Sequence, residues 1–257
     1  MTAFLRLRQL CLVAKELEPA IEDLKEVFGL EVCYRDGAVA KYGLHNALVP
    51  IDAQFVEVVA PTEPGTAAGR YLERRRGDGG YMVILDCDDP APWRKHVAEI
   101  GVRIANPIEH EGKYIGLQLH PRDTGGAMLE INWTPGGADL RGAYTPAGPD
   151  WQKAVRTDVT RAITGVEMQS DDPAELAERW GRILKRPISA GKDGERRIAL
   201  DLGEISFVKA EDGRGEGLGG IDIAASDASR IFANAKRRGC KVTGNTITIC
   251  GTRFRVS

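Results

Sequence analysis

The sequence has few of the features that mark cysteine-rich, nucleic-acid-binding or membrane proteins. No C-x-x-C pair occurs among its five cysteines, which argues against a disulfide framework or a thiolate zinc site and indicates small buried thiols. Lysine and arginine together number 35, against 37 aspartate and glutamate residues, so the net charge is only −2. No basic block is long enough to follow a phosphate backbone, and we expect no nucleic-acid partner.

Long hydrophobic runs are also missing. The apolar stretch Leu10–Ala14 is too short for a signal peptide or a membrane span, and Lys15 and Glu16 follow it directly. We therefore expect a cytoplasmic protein with no membrane partner. With 257 residues, of which 42% are hydrophobic, the chain is long enough for one large domain or two small ones with cores of their own.

An internal repeat is the most informative feature that is present. Residues 7–60 are predicted to form a strand, an amphipathic helix over Leu17–Phe28 and three further strands at Leu30–Arg35, Val39–Val49 and Gln54–Ala60. Residues 80–133 repeat this βαβββ order, and in both copies a glycine follows the helix where a left-handed cap would end it. Two shorter copies follow residue 158, so the sequence predicts four βαβββ modules.

A change of composition marks the predicted domain boundary. Residues 135–158 include Pro135-Gly136-Gly137 and Pro146-Ala147-Gly148-Pro149, which is typical of a linker. We therefore expect one domain over residues 1–134, built from the first two modules, and a second over residues 159–257.

Three stretches resemble the vicinal-oxygen-chelate superfamily, which includes glyoxalase I, methylmalonyl-CoA epimerase, extradiol dioxygenases and the bleomycin and fosfomycin resistance proteins. Gln9–Leu17 is similar to the opening strand of the superfamily, and Leu119–Ile131 resembles the closing hairpin of the epimerases. Gly43–Pro50 is similar to the glyoxalase-like branch. The resemblance covers essentially the whole chain as architecture. It implies an α+β fold in which the four modules pair into two curled mixed-sheet domains.

The resemblance also implies a metal site on the concave face of the first domain. In the superfamily, each module gives one ligand from its first strand and one from its last, and the corresponding positions here are Gln9, Glu57, Met82 and Glu130. Glu57 follows Gln9 by 48 residues, and Glu130 follows Met82 by the same 48, so the two modules are in register.

Strand alternation is consistent with both glutamates lying on the concave face of the sheet. Glu57 is predicted to share a face with Phe55 and Val59, and Glu130 to share one with Asn132. A carboxylate among apolar neighbours is costly unless a metal ion or a hydrogen-bond donor satisfies it. An internal salt bridge or a hydrogen-bonded carboxylate is therefore the structural alternative to metal ligation.

The ligand set suits some metals better than others. Oxygen atoms from Gln9, Glu57 and Glu130 would favour Mn²⁺, Mg²⁺ or Co²⁺ over Zn²⁺, which stays among the candidates. The thioether of Met82 is a poor ligand for such ions. An open coordination position, a replacement ligand such as His45 or His120, or a site without metal are the three alternatives, and a protein with no metal is as well supported as one with metal.

Two functions follow from the resemblance. The first is a metal-assisted lyase or isomerase, in which the ion holds two vicinal substrate oxygens while Glu57 or Glu130 moves a proton. His45, Met82 and His120 would then contact the substrate. The second is a non-catalytic protein of the bleomycin-resistance type, which binds a small apolar or aromatic ligand without metal; Met82 favours it. The partner in both is a small molecule, and a homodimer is left open.

The second half of the chain has no equivalent site. The ligand positions of its two modules correspond to Gly165, Phe207, Gly220 and Val256, none of which can coordinate an ion. Residues 159–257 are therefore expected to form a degenerate second domain, and an extradiol dioxygenase with an iron triad of two histidines and a glutamate is disfavoured.

Overall fold

Strands and helices follow the repeated order of the sequence. The computed structural model describes residues 3–191 and 194–257. The strands are β1 Leu5–Val13, β2 Leu44–Ile51, β3 Gln54–Pro61, β4 Gly79–Cys87, β5 Ile104–His110, β6 Tyr114–Leu119, β7 Met128–Trp133, β8 Thr160–Ser170, β9 Ser189–Ala190, β10 Arg196–Ala199, β11 Glu204–Lys209, β12 Gly217–Ala225, β13 Lys241–Thr243, β14 Thr246–Ile249 and β15 Thr252–Val256. The helices are α1 Leu17–Phe28, α2 Ala67–Arg75, α3 Ala91–Glu99, α4 Pro121–Thr124, α5 Pro173–Leu184 and α6 Ala228–Arg237. None of these described helices is long and apolar enough to cross a membrane.

The strands form two mixed sheets. Strands β1–β7 belong to one sheet, in which the order is β2-β3-β1 for the first module and β4-β7-β6-β5 for the second. Strands β8–β15 belong to the other, with the orders β8-β11-β10-β9 and β13-β14-β15-β12. In every module the first and last strands are parallel neighbours, whereas the hairpin partners are antiparallel. The predicted α+β fold of four modules is confirmed.

The first two modules share the same strand register. Cys11 lies opposite Glu57 in the first module, and Ile84 lies opposite Glu130 in the second. Each residue of the second pair comes 73 positions after its counterpart in the first. The sequence repeat is therefore also a repeat of the hydrogen-bonded backbone.

The first module departs from the prediction at two places. The strand predicted over Val39–Val49 begins only at Leu44, because Gly37–Tyr42 forms a 3-10 helix, and Leu30–Arg35 differs more. Residues Leu30–Arg35 do not form a strand, because their pairing is limited to a single bridge between Tyr34 and Leu48. The Cys33 N–H donates to the Leu48 carbonyl, and the Leu48 N–H donates to the Tyr34 carbonyl, each at 2.9 Å. The strand pairing ends there. The strand predicted at Leu30–Arg35 was wrong, since a short β-like composition does not by itself supply a partner strand.

Two compact units make up the chain, and each combines separate stretches of sequence. Unit 1 contains the described residues up to Arg8, Tyr81–Thr145 and Gly165–Gly219. Unit 2 contains Gln9–Gly80, Pro146–Thr164 and Gly220–Ser257. Each unit therefore includes one module from each half of the sequence.

Helix packing holds the modules of unit 2 together. Helices α1 and α6 lie against each other, and the ring centroids of Phe28 and Phe254 are 5.0 Å apart. The guanidinium of Arg238 donates to Asp23 at 2.7 Å, and Asn234 donates to the Val27 carbonyl. In α1 the buried residues recur with helical spacing, so the amphipathic pattern of the sequence supplies this interface.

A buried tryptophan has the corresponding role in unit 1. Trp180 of α5 is fully buried, and its indole N–H donates to the Thr124 carbonyl at 2.8 Å. Its ring also meets Phe207 edge-on, with centroids 6.1 Å apart. The short helix α4 is thereby fixed to α5, and the loop that leads into β7 is fixed with it.

The glycine after α1 gives a test of this packing. Gly29 has a φ of +68°, and a Cβ added there would lie 2.7 Å from Val159. Gly101, the glycine after α3, has a φ of +74° but no atom within 4 Å of such a Cβ. Gly29→Ala and Gly101→Ala should each lower the unfolding free energy by about 1–2 kcal/mol, because a residue with a Cβ is strained in the left-handed conformation. Gly29→Ala should lower it by about 1–3 kcal/mol more, because the new Cβ overpacks against Val159. Urea denaturation measures both, and equal losses would contradict the assigned contact.

Candidate functional site

Glu57 is the centre of a buried amide cluster in unit 2. Its Oε2 accepts a hydrogen bond from Gln9 Nε2 at 2.8 Å, and its Oε1 accepts one from Asn46 Nδ2 at 2.6 Å. The Oδ1 of Asn46 in turn accepts from the backbone N–H of Asp36 at 2.8 Å. These three side chains, the Glu57 cluster, lie on β1, β2 and β3. Two amide donors therefore hold both oxygens of the carboxylate.

Asn46 takes the place that the sequence suggested for His45. The register pairs Leu48 with Glu57 and Asn46 with Val59, so Asn46 shares a face with the glutamate. His45 pairs with Ala60 on the other face of β2, where it is exposed. The structure does not bring His45 to Glu57, because one residue of register decides the face of a strand.

Glu130 forms a second cluster, in unit 1. Its Oε1 accepts from the Tyr114 hydroxyl and from Asn132 Nδ2, the latter at 3.2 Å, while its Oε2 accepts from Gln118 Nε2 at 2.8 Å. Burial and the adjacent carboxylate raise the pKa of Tyr114 well above its usual value, so the phenol stays a donor. Gly116 leaves room for this ring, since a Cβ there would lie 2.9 Å from it. We call these four polar side chains the Glu130 cluster.

Residues after β7 extend the Glu130 cluster. The Tyr144 hydroxyl accepts from Asn132 Nδ2 at 3.3 Å, and the guanidinium of Arg8 lies over the Tyr144 ring, 4.9 Å from its centroid. Arg8 is fully buried and also donates to the Leu140 carbonyl at 2.9 Å. Burial lowers the pKa of Arg8, and burial raises the pKa of its neighbour Asp86. A network of buried polar groups thus lies behind Glu130 inside unit 1.

Met82 and His120 lie at different places in unit 1. Met82 is buried in β4, where it pairs with Met128. His120 is the residue before α4, and its Nδ1 accepts from the Arg122 N–H at 3.2 Å. Beside it, hydrogen bonds from Arg103 hold the pKa of Asp123 well below its usual value. His120 therefore caps the turn at the start of α4.

The residues at the expected ligand positions do not fit a divalent ion. Gln9 turns its amide nitrogen toward Glu57, whereas two ligands of one ion would both direct oxygen at it. Both oxygens of Glu130 accept from neutral donors, and Met82 offers only a thioether. Within residues 3–191 and 194–257, no group of three or more His, Cys, Asp or Glu side chains is placed to hold a metal.

Five residues of these clusters were not predicted as site residues: Asn46, Tyr114, Gln118, Asn132 and Tyr144. Alternation along β7 places Asn132 on the face of Glu130, so its position was readable from the sequence, although its hydrogen bond was not. Tyr144 lies in the predicted linker, where no periodicity indicates which side chain turns inward. Tyr114 and Gln118 could be found only once the register of β6 was known.

A family model for a glyoxalase-like domain matches residues 10–184. The chain therefore belongs to the glyoxalase-like domain family, within the vicinal-oxygen-chelate superfamily. No curated protein sequence matches it. The family supports a small-molecule enzyme or binding protein of this superfamily.

Two of the similar solved structures share the fold at low sequence identity. A hypothetical protein from Staphylococcus aureus has a TM-score of 0.68 and 14% identity over 98% of both chains. A mutant of 4-hydroxymandelate synthase from Streptomyces coelicolor has a TM-score of 0.67 and 12% identity, covering 93% of this chain and 76% of that one. Methylmalonyl-CoA epimerase from Mycobacterium tuberculosis has a TM-score of 0.44 and 21% identity, covering 49% of this chain and 86% of that one.

The hydroxyl of Tyr114 provides a test of the Glu130 cluster. Tyr114 and Tyr71 are each 6% exposed, but Tyr71 donates to a neutral carbonyl, that of Gly80. Tyr114→Phe should lower the unfolding free energy by about 1.5–3 kcal/mol because it removes a hydrogen bond to a charged group, against about 0.5–1.5 kcal/mol for Tyr71→Phe. Urea denaturation at pH 7 measures both. When Glu130→Gln is already present, Tyr114→Phe should lower the unfolding free energy by less than it does in the parent. The same loss in both backgrounds would contradict the hydrogen bond between Tyr114 and Glu130.

Proposed function

We propose that this protein binds a small molecule at the Glu57 cluster without a metal ion, and that residues 1–134 supply this cluster. The ligand carries an apolar or aromatic body and at least one N–H or O–H donor. The observation that supports this proposal most directly is the pair of amide hydrogen bonds that hold Glu57 as an oriented acceptor.

The surroundings of Glu57 suit such a ligand. Glu57 keeps 8% of its surface exposed, whereas Phe55 and Val59, on the same face of β3, are 0% and 4% exposed. An ionised carboxylate forms stronger hydrogen bonds than a neutral acceptor, and the aromatic and aliphatic neighbours favour an apolar body. The amides of Gln9 and Asn46 fix the direction of the carboxylate but leave its negative charge in place.

Glu130 has a different part in this proposal. It is only 3% exposed and accepts hydrogen bonds from three neutral donors within unit 1. We assign it a structural role, in which the cluster fixes β6 against β7. The second half of the chain, where Gly165 and Phe207 stand at the equivalent positions, serves as scaffold.

The metal-assisted lyase or isomerase is the competing function. It would require Gln9, Glu57 and Glu130 to turn from their present hydrogen bonds toward an ion. The donors that they released would stay buried without acceptors, at a cost of about 1–3 kcal/mol each. The present donor pattern favours the binding protein for this reason.

Metal analysis separates these two functions. Protein purified without chelator should contain well under 0.1 equivalent of Mn, Fe, Co, Ni or Zn by elemental analysis. Millimolar Mn²⁺, Mg²⁺ or Co²⁺ should leave the Tm unchanged, because an ion that bound the native state would raise it. About one equivalent of metal, lost in both Glu57→Ala and Glu130→Ala, would instead support the metal-assisted enzyme.

A fluorescent amine tests the ligand chemistry directly. N-phenyl-1-naphthylamine has an aromatic body and one N–H donor, and its emission rises when it leaves water. Glu57→Gln should weaken its binding about tenfold, the equivalent of about 1.4 kcal/mol for a hydrogen bond to a charged acceptor. Glu99→Gln, at an exposed position of α3, is the control and should bind as the parent does. Equal affinities for all three proteins would refute the role of Glu57.

A further inference from the structure

The second half of the chain supplies no group to the Glu57 cluster, but it carries a groove of its own on the exposed side of α5. The groove has a volume of about 650 Å³, which is within the usual range for small-molecule sites. Its lining residues lie on α5 and on the segment that follows it, all within unit 1. Five of them are charged: Glu175, Glu178, Arg179, Arg182 and Arg186.

The chain folds back along α5 directly after the helix ends, and this forms one wall of the groove. The Arg186 N–H donates to the Gly181 carbonyl at 3.1 Å, and a Cβ added at Gly181 would lie 3.2 Å from Ile188 Cγ1. A glycine in the helix therefore lets residues 186–188 pass close to it, and Ile188 gives the groove an apolar side chain. His96 of α3 donates from Nε2 to the Arg182 carbonyl at 2.9 Å, which fixes the last turn of the helix.

Two of the three arginines in the groove are neutralised by carboxylates. Arg179 donates to Glu175, four residues earlier on the same helix, at 2.6 Å. Arg186 donates to Asp201. With these two pairs formed, the remaining charges of the lining are one carboxylate, on Glu178, and one guanidinium, on Arg182. The groove therefore has no excess of positive charge that would favour a polyanion.

Glu178 and Arg182 do not neutralise each other. They have the same spacing as Glu175 and Arg179, and a glutamate four residues before an arginine is well placed for an ion pair. Within residues 3–191 and 194–257, however, the side chains of Glu178 and Arg182 form no hydrogen bond or ion pair, with each other or with another residue. Both are exposed, so an anionic and a cationic group stand one helical turn apart in the groove, open to a ligand.

This pair of charges matches the two charges of an α-amino acid. A guanidinium can donate two parallel hydrogen bonds to a carboxylate, and an ammonium group donates hydrogen bonds to a carboxylate such as that of Glu178. Ile188 and the aliphatic stems of the arginines offer contacts for an aliphatic side chain. A ligand with only one of the two charges would leave either Glu178 or Arg182 without a partner.

We propose that the groove on α5 binds an α-amino acid with an aliphatic side chain, whose carboxylate is held by Arg182 and whose ammonium group is held by Glu178. The site lies in unit 1, whereas the Glu57 cluster lies in unit 2. It therefore does not depend on the proposed function, and the two can fail separately.

Titration with L-leucine, followed by amide resonances in NMR spectra at pH 7 and constant ionic strength, tests the site. L-leucine should shift the amide resonances of Gly181 and Ile188 in a saturable way, with one dissociation constant for both. Glu57→Gln should bind L-leucine as the parent does. No saturable shift at either amide would overturn the proposal.

Two variants and two leucine derivatives test the separate roles of the charges. Arg182→Gln should weaken L-leucine binding about fivefold and leave the binding of L-leucinamide, which has no carboxylate, unchanged. Glu178→Gln should weaken L-leucine binding to a similar extent and leave the binding of N-acetyl-L-leucine, which has no ammonium group, unchanged. Arg122→Gln and Glu211→Gln remove exposed charges of unit 1 outside the groove and should bind L-leucine as the parent does.

Two further outcomes would contradict the proposal. Equal losses of L-leucine affinity in Arg182→Gln, Glu178→Gln and both control variants would show a general effect of charge instead of a site. Sedimentation velocity covers the second case. A dimer of the parent that Arg182→Gln dissociates would assign the groove to a second copy of the chain and not to an amino acid.

Discussion

The need to stabilise a buried carboxylate on the last strand of each of the first two modules dominates this half of the protein. Glu57 and Glu130 have the same backbone register, and each lies among strands that bury nearly every neighbour. A buried negative charge is tolerated only with donors close to it. The positions of Gln9 and Asn46 around one carboxylate, and of Tyr114 and Gln118 around the other, follow from this constraint.

The two modules meet the same requirement with different side chains. Asn46, opposite Val59, donates to Glu57, whereas the corresponding position opposite Asn132 is Gly116. Because a glycine leaves this space open, the Tyr114 ring fits beside Gly116 and its hydroxyl reaches Glu130. One backbone repeat thus supports an amide cluster in one module and a phenol-containing cluster in the other, which is how a fold can keep its topology while its site chemistry changes.

The repeat and the family resemblance predicted the fold, but side-chain partners depended on details that neither carries. Alternation placed Glu57 with Phe55, and the resemblance placed Gln9 and Met82 at matching positions, each 48 residues before its glutamate. His45 could not be separated from Asn46, because a hairpin register uncertain by one residue exchanges the faces. The inward turn of Trp151 was not predictable either, since a stretch rich in proline and glycine has no period from which to derive a buried side.

Neutral donors and a metal ion stabilise a buried carboxylate in different ways, and this difference bears on function. A divalent cation neutralises the carboxylate and polarises a bound substrate, whereas the amides of Gln9 and Asn46 hold Glu57 in a fixed orientation through neutral donors. In the proposed function, this oriented carboxylate accepts a hydrogen bond from the ligand. Keeping bulk water away from such a group strengthens that interaction, because a hydrogen bond to a charge is worth more at low dielectric. The ring of Trp151 packs edge-on against Phe55 on the same face, and both rings are almost completely buried, so water is kept from that side of the cluster.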